Sequence, residues 1–224
     1  LTLEYLETGA PPIQPPPGFS DDFNLGGPSP DPKWTFVGGG TSSVNVNGSA
    51  PGKLRIAIDP SINRQCWTGG SPGCIRLMEA APPGNLQAEV KEDTVVPNGA
   101  GHDHQMGFLA YQDATNFIRF EQQGISGTRH IVAHKVISNA GAPGLVSCSG
   151  IPLTPPLYLR VTRSSDTWTL AYSANGTSFT TCGSFTQALD LAKPGAQIGL
   201  YLGNNGSNAS FTSGDFDYLR VTTN

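Results

Sequence analysis

Hydrophobic and polar residues alternate in two adjoining runs in the second half of the chain. The runs are LYLRVTR, which begins at Leu157, and TWTLAYS, which begins at Thr167. Ser164–Asp166 separates the two runs, and Asn175–Gly176 follows the second. Alternation with a period of two, bounded by turn residues of this kind, predicts an antiparallel hairpin with one buried face. The pattern therefore predicts an all-β protein.

Short stretches with the same character recur along the chain. With 28 glycines, 19 prolines and 13% charged residues among 224, the composition is typical of many short strands joined by tight turns. A single β-sandwich commonly reaches this length. Ile62–Gly73 breaks the alternation and is expected to form a loop. The predicted strands are residues 33–38, 43–48, 53–58, 75–80, 86–92, 104–112, 116–123, 128–137, 157–163, 167–173, 177–182, 196–202 and 209–221.

The amino-acid sequence of these runs resembles that of a known type of module. LRVTR, TWTLAYSANGTSF, IGLY and FDYLRV follow one another between Leu159 and Val221. The string is similar to the concanavalin A-like (laminin-G-like) jelly-roll modules attached to secreted bacterial glycoside hydrolases, over roughly Phe19–Asn224. The resemblance implies a two-sheet antiparallel jelly-roll sandwich. It also implies glycan binding on the concave sheet or in the loops at its edge, as is common in modules of this type.

The first 18 residues have a different pattern. Leu1–Glu7 alternates like one strand, whereas Pro11–Gly18, PPIQPPPG, cannot pair in a sheet and is typical of a polyproline spacer. We therefore expect residues 1–18 to be the tail of a preceding domain plus a linker, and residues 19–224 to form the sandwich. Because the chain begins without Met or a signal-peptide pattern, we expect a piece of a longer protein with a catalytic or binding domain upstream.

Charge and hydropathy exclude two classes of partner. The net charge is −4 and the Lys and Arg residues are scattered singly, so the chain lacks the basic stripe of a nucleic-acid-binding protein. No apolar run approaches the length of a membrane span. We expect neither nucleic acid nor a membrane as a partner.

The four cysteines are Cys66, Cys74, Cys148 and Cys182. Neither pair has zinc-binding spacing, and no histidine lies near either one. An even count in a polar, Gly-rich chain predicts two disulfides and an oxidising compartment, and hence secretion. Of the three connectivities, sequence proximity favours 66–74, which leaves 148–182; four buried free thiols are the alternative.

Polar side chains share one face of two neighbouring predicted strands, residues 116–123 and 128–137. A four-residue turn at 124–127 would place Glu121 opposite His130 on that face. Planar and charged groups that hydrogen-bond hydroxyls, beside an aromatic ring that stacks on a sugar, are typical of a sugar-binding surface. The predicted carbohydrate-binding residues are Arg119, Glu121, His130 and Phe117, with Trp67 on the predicted loop and His104 as further candidates.

Two other interpretations of this patch stay open. The charged residues can form an ordinary solvated network across the strands. His102 and His104 share a strand face and could bind one transition metal. His130 and His134 cannot easily join each other at a metal, because four strand residues span about 13 Å.

Catalysis is the alternative function. The related family 16 glycoside hydrolases carry E-x-D-x-x-E on one strand, whose face holds two carboxyls about 5 Å apart, and this chain lacks that string. Glu89–Asp93 comes closest but has the wrong parity. A dispersed pair, Glu121 with Asp103 or Glu79, stays open for a glycoside hydrolase or polysaccharide lyase. A structural spacer or adhesion domain is the third class.

The resemblance further implies a structural calcium ion that ties the first strand to the last. The usual donors are an early backbone carbonyl, a glycine carbonyl after an early strand and the Asp of a final D-Y-x-x-V string. In this chain the corresponding residues are Asp22, Gly48 and Asp217. Oxygen ligands from loops suit calcium.

We therefore expect a non-catalytic carbohydrate-binding module of an extracellular polysaccharide-degrading protein. Its ligand would be a polysaccharide or oligosaccharide. Binding would raise the local concentration of a linked catalytic domain at its substrate.

Overall fold

The computed structural model is a sandwich of two antiparallel sheets. It describes residues 18–24, 29–47, 50–59, 61, 64–66, 73–98, 103–149, 151, 154–204 and 211–223. Within these residues there are fourteen strands and no helix, and each sheet contains seven strands. The prediction of an all-β, two-sheet jelly-roll sandwich is confirmed. The predicted tail and linker, residues 1–18, lie outside the described residues apart from Gly18.

The sheets are built from strands far apart in the sequence. The first sheet has the order β1-β4-β13-β6-β7-β8-β9, and the second has the order β12-β11-β10-β5-β14-β3-β2. The strands are β1 (Thr35–Val37), β2 (Ser43–Val46), β3 (Leu54–Ala57), β4 (Ile75–Ala80), β5 (Leu86–Glu92), β6 (His104–Asp113), β7 (Asn116–Ile125), β8 (Thr128–Ile137), β9 (Ala140–Ser149), β10 (Leu157–Ser164), β11 (Thr167–Ser173), β12 (Thr180–Thr186), β13 (Gln197–Asn204) and β14 (Ser213–Thr223).

The hairpin that the alternation predicts is formed by β10 and β11. Their partners run from Tyr158 opposite Ser173 to Ser164 opposite Thr167. The inward residues of β10, among them Leu157, are buried in the core. Removing such a side chain from water stabilises the fold by about 1.5–3 kcal/mol. The alternating pattern thus follows from a strand with one covered face.

The hydrophobic core lies between the two sheets. Phe120 of the first sheet packs against Trp168 and Phe185 of the second, with ring centroids 5.5 and 6.2 Å apart. Strand β5 alternates buried and half-buried residues, as a strand with one free face does. Strand β7 is instead buried without interruption from Phe117 to Gly124. Both faces of the first sheet are therefore covered along this strand.

One strand was not predicted, and several others have different bounds from the predicted ones; β14, for example, spans Ser213–Thr223 rather than residues 209–221. Strand β9, AGAPGLVSCS, was not predicted because its Gly and Pro residues disfavour strands; it lies at the edge of its sheet, where they are tolerated. Strand β12 begins at Thr180 rather than residue 177. The reason is a turn in which Asn175 Oδ1 accepts hydrogen bonds from the backbone N–H groups of Thr177 and Ser178, both at 2.9 Å.

Two disulfides have the pairing that sequence proximity favours, and no cysteine is free. Cys148 of β9 bonds to Cys182 of β12, so it joins the edge strands of the two sheets. Cys66 bonds to Cys74, and both lie on the outer face of the first sheet. No helix in the described part of the chain is long and apolar enough to cross a membrane.

Candidate functional site

The turn between β7 and β8 sets the register of the polar patch. It contains two residues, Ser126 and Gly127, with φ angles of 51° and 83°, and both lie in the left-handed region that a tight hairpin turn requires. His130 consequently pairs with Gln123, not with Glu121. The predicted register, based on a four-residue turn, is wrong by two positions. The shift is even, so the same side chains still share the outer face.

Arg119 and Glu121 lie on this outer face but are fully buried, with 0% exposure. Arg119 Nη1 lies 3.6 Å from Glu121 Oε2 and donates a 2.8 Å hydrogen bond to Gln105 Oε1. The hydroxyl of Tyr201 donates to Glu121 Oε2. The prediction that Arg119 and Glu121 touch sugar is corrected accordingly: they form a buried network beneath the surface. The sequence pattern identified the face but not its burial.

Tyr201 also belongs to a second, smaller hydrophobic cluster, which includes the Cys66–Cys74 disulfide. Phe117, predicted to stack on sugar, is 1% exposed and stacks on Tyr111 instead, with ring centroids 6.3 Å apart. It is therefore a packing residue, which corrects that prediction as well. Trp67, the candidate on the predicted loop, lies outside the described residues. The cluster consists of Cys66, Cys74, Met78, Leu109, Phe117, Val136 and Tyr201.

His104 faces the opposite side of the sheet from the patch. It is 1% exposed, and its ring centroid lies 5.2 Å from that of Phe211. Its prediction as a sugar-binding residue is therefore corrected. The next residue, Gln105, lies on the outer face, because neighbouring strand residues point to opposite sides. His102 lies outside the described residues. Among the residues that are described, no three or more His, Cys, Asp or Glu side chains are grouped to hold a metal ion.

An open cavity of about 460 Å³ lies on the outer face of the first sheet, where β6, β7, β8 and β9 run side by side. Its apolar surface includes Ile125 and Val132. Of the predicted sugar-binding residues that the structure describes, His130 is the one that lines it. The polar residues around the cavity are Gln65, Asp103, Gln105, Gln123, His130, His134 and Ser147, and Gln65 donates to Asp103 Oδ2 at 3.5 Å.

The strands place these polar groups in a row across the sheet. Gln105 of β6 pairs with Gln123 of β7, which pairs with His130 of β8. Directly paired residues have Cβ atoms about 5 Å apart. The sequence analysis did not identify Gln105 and Gln123 as binding residues. The available signal was position, since Gln123 is two residues from Glu121 and so shares its face.

Burial shifts the pKa values of two groups near the cavity, Glu121 and His134, in opposite directions. It raises the pKa of Glu121 to about 7, with a further contribution from Asp103 and an opposing one from Arg119. It lowers the pKa of His134 to about 3, and the Arg119 cation adds to that effect. His134 is therefore a neutral imidazole at neutral pH.

Of the two acid pairs considered for catalysis, the structure excludes Glu121 with Glu79. Glu79 shares a cross-strand row with Ile198 and Ala110, which belong to the core face. Glu121 belongs to the outer face of the same sheet. The two carboxyls are on opposite sides, so Glu121 and Glu79 cannot act together on one substrate.

The residues expected to bind calcium lie near the joined chain ends. Asp21 and Leu219 exchange backbone hydrogen bonds of 2.7 and 2.9 Å, so the first and last segments are tied directly. Asp22 Oδ1 accepts a 3.0 Å hydrogen bond from Arg220, and the Asp217 carboxylate accepts one from Lys91. Calcium would have to displace these cations to bind both carboxylates. Gly48 lies outside the described residues, and the calcium ion stays a prediction.

Comparison with solved structures shows proteins that share this fold. The GH43 BlXynB protein from Bacillus licheniformis superimposes with a TM-score of 0.71 at 20% identity, and the xyloglucan-locus GH43B protein of Bacteroides ovatus with 0.66 at 17%. The xylan beta-1,4-xylosidase of Bacillus halodurans C-125 gives 0.61 at 14%. The matches cover 91–92% of this chain but 39% of each of those chains. This chain thus spans about two fifths of their length.

Sequence comparison identifies the family. Comparison with curated proteins gives no match. The family model of the beta xylosidase C-terminal concanavalin A-like domain matches residues 85–222, which is more than half of the chain. This span runs from β5 to β14 and includes the polar row of the cavity. The chain therefore belongs to the family of beta xylosidase C-terminal concanavalin A-like domains.

Proposed function

We propose that this domain is a non-catalytic carbohydrate-binding module of an extracellular polysaccharide-degrading protein, and that sugar binds in the cavity on the first sheet. The observation that carries the proposal is the cavity itself. Its volume of about 460 Å³ is that of a small-ligand site, and it combines several convergent polar groups with an apolar wall. Amide, imidazole, carboxylate and hydroxyl groups supply the hydrogen-bond donors and acceptors that sugar hydroxyls require.

The family supports the kind of ligand. Its name links the domain to beta xylosidases, so xylan and xylo-oligosaccharides are the first ligands to consider. The two disulfides are consistent with an extracellular protein. A catalytic domain on the same polypeptide would gain from the module through tethering, since a bound module raises the local substrate concentration.

Affinity electrophoresis against a panel of soluble polysaccharides that includes xylan tests this proposal. Reducing-sugar release is measured in parallel on the same samples. The informative variants are His130→Ala and Ser147→Ala, which alter the cavity wall. Thr162→Ala on the outer face of the second sheet is the control. Arg119→Ala is unsuitable, because removing a fully buried cation would unfold the protein whether or not sugar binds.

Retardation without release, weakened in the cavity variants and not in the control, is the expected result. Release of reducing ends would show that the domain is an enzyme and would refute the proposal of a non-catalytic module. Absence of both signals across the panel would support a structural spacer. Retardation that is unchanged in His130→Ala and Ser147→Ala would place the sugar elsewhere on the domain.

A further inference from the structure

Two glutamine side chains form the centre of the polar row in the cavity. Gln105 and Gln123 are direct partners on adjacent strands. They are 1% and 7% exposed, but unlike the equally buried Phe117 and His104 they line the cavity. An amide side chain has one accepting oxygen and one donating nitrogen. Whether each amide presents a donor or an acceptor to a ligand therefore depends on which of its two ends is already hydrogen-bonded to the protein.

Arg119 determines the orientation of Gln105. Its guanidinium can only donate, and Nη1 lies 2.8 Å from Gln105 Oε1. The oxygen of Gln105 is therefore the engaged end. The nitrogen, Nε2, donates to no protein acceptor in the part of the chain that the structure describes.

His134 determines the orientation of Gln123 in the same way. The backbone N–H of Gly144 donates to His134 Nδ1 at 3.3 Å, so in the neutral ring the proton is on Nε2. His134 Nε2 lies 3.4 Å from Gln123 Oε1 and donates to it. The Nε2 group of Gln123, like that of Gln105, has no acceptor among the described residues.

The cavity also holds a negatively charged group, which accepts hydrogen bonds where the two amides donate them. Asp103 lines the cavity and presents a carboxylate, which can only accept. Its charge acts on both Glu121 and Arg119 beneath the cavity, so it lies close to the buried network. A ligand in the cavity therefore meets the fixed N–H donors of Gln105 and Gln123 together with the negative charge of Asp103.

We infer that Arg119 and His134 are positioning residues that hold Gln105 and Gln123 as paired N–H donors, and that the cavity selects a neutral saccharide unit over a uronic acid. Hydroxyl oxygens of the sugar accept from the two amides, and a sugar hydroxyl donates to Asp103. The carboxylate of a uronic acid, in place of that hydroxyl, can only accept and is repelled by the Asp103 carboxylate. This inference rests on the proposed sugar-binding function and specifies its ligand class.

Calorimetric titration with two probes tests the inference. One probe is xylotetraose, and the other is a xylo-oligosaccharide of similar length that carries a glucuronic acid. Gln105→Glu and Gln123→Glu keep the size of the side chain but replace the donor with an acceptor. Gln87→Glu on strand β5 of the second sheet is the matched control.

Wild-type protein is expected to bind the neutral probe about tenfold or more tightly than the acidic one, as for loss of one hydrogen bond to a charged group. Each cavity Gln→Glu change should weaken xylotetraose binding by about tenfold, and Gln87→Glu by less than twofold. Asp103→Asn should reduce the preference for the neutral probe. His134→Asn frees the amide of Gln123 to rotate and should lower the ratio of the affinity for the neutral probe to that for the acidic probe. Arg119→Lys keeps a cationic donor and should retain this ratio.

This ratio is a readout that a loss of stability alone would not change, and melting curves show which variants are folded. Equal binding of the two probes by the wild type would overturn the inference and leave the proposed function standing. Unchanged xylotetraose affinity in the folded Gln123→Glu variant would also overturn it. Binding of neither probe would refute the proposed function and this inference together.

Discussion

The hydroxyl of Tyr201 on β13 donates to the buried carboxyl of Glu121 on β7, and Gly107 of β6 lies between them in the same cross-strand row. A glycine at this position leaves the side chains on either side free to meet. This hydrogen bond connects β13 with β7, which is 80 residues away in sequence, across β6. The first two predictions concern this connection.

Tyr201→Phe should lower the free energy of unfolding by about 1–3 kcal/mol, because it leaves a buried carboxyl oxygen without its donor. Urea denaturation measures the change. Tyr172→Phe is the control, since Tyr172 is half-buried and the structure shows no hydrogen bond from its hydroxyl to a described residue. Equal losses in the two variants would mean that the Tyr201 hydroxyl contributes nothing specific.

Gly107→Ala should be strongly destabilising. A Cβ atom there would lie 2.1 Å from the carbonyl oxygen of Phe120, a backbone atom that cannot move without disturbing β7. Overpacking of this kind costs about 1–3 kcal/mol or more. In Gly39→Ala the nearest atom is the flexible end of Arg64 at 3.1 Å, so the melting temperature should hardly change. A stable Gly107→Ala variant would contradict the close approach of β6 and β7.

His134 should make stability depend on pH. Its pKa falls from the ordinary value of 6.5 to about 3 on folding, so the unfolded state binds the proton more tightly. Its contribution is present above pH 6.5 and is lost as the pH falls toward 3. The stability difference between wild type and His134→Asn should thus fall by up to about 1.4 kcal/mol per pH unit below pH 6.5. A difference that does not vary between pH 7 and pH 4 would show that His134 is not buried as a neutral ring.

The two disulfides should contribute unequally. Cys148 and Cys182 are 34 residues apart and Cys66 and Cys74 are 8 apart. In the chain-entropy model, replacing the first pair with Ser should cost about 3–4 kcal/mol and replacing the second about 2.5 kcal/mol. Guanidinium unfolding of the two double variants gives the order, and the reverse order would contradict the model for this protein. The Cys66/Cys74 variant should also weaken the proposed sugar binding, because it loosens the hydrophobic cluster that contains Tyr201, the donor to Glu121.

The strands were predictable from sequence wherever one face is core and the other is free. The hairpin of β10 and β11 is the clearest case, since alternation and turn residues agree. Strand β9 was not predictable, because its Gly and Pro residues are compatible with a strand only at a sheet edge, and edge position is a property of the whole fold. The β7–β8 register depended on the turn at Ser126, where a left-handed non-glycine residue gives little sequence signal.

The polar face was predictable, but its accessibility was not. Alternation correctly grouped Arg119 with Glu121 on one side of β7, yet it contains no information about what packs on that side. The predicted residues were therefore the charged ones, which are fully buried and do not line the cavity. The neutral Gln105 and Gln123 are buried as well, but they line the cavity and were not predicted.

The bond between Cys148 and Cys182 has a mechanical consequence. Ser147, on the wall of the cavity, is covalently adjacent to Cys148, so β9 is attached to the second sheet by a bond that does not depend on hydrogen bonds. If a polymer bound in the cavity as proposed, a pull on it would place part of the load on β9, an edge strand with one neighbour in its sheet. The disulfide transfers that load to β12 and resists the separation of the two layers. With the Cys148–Cys182 disulfide intact, the domain should keep hold of a stretched polymer at a force that strips β9 from its sheet once the disulfide is reduced.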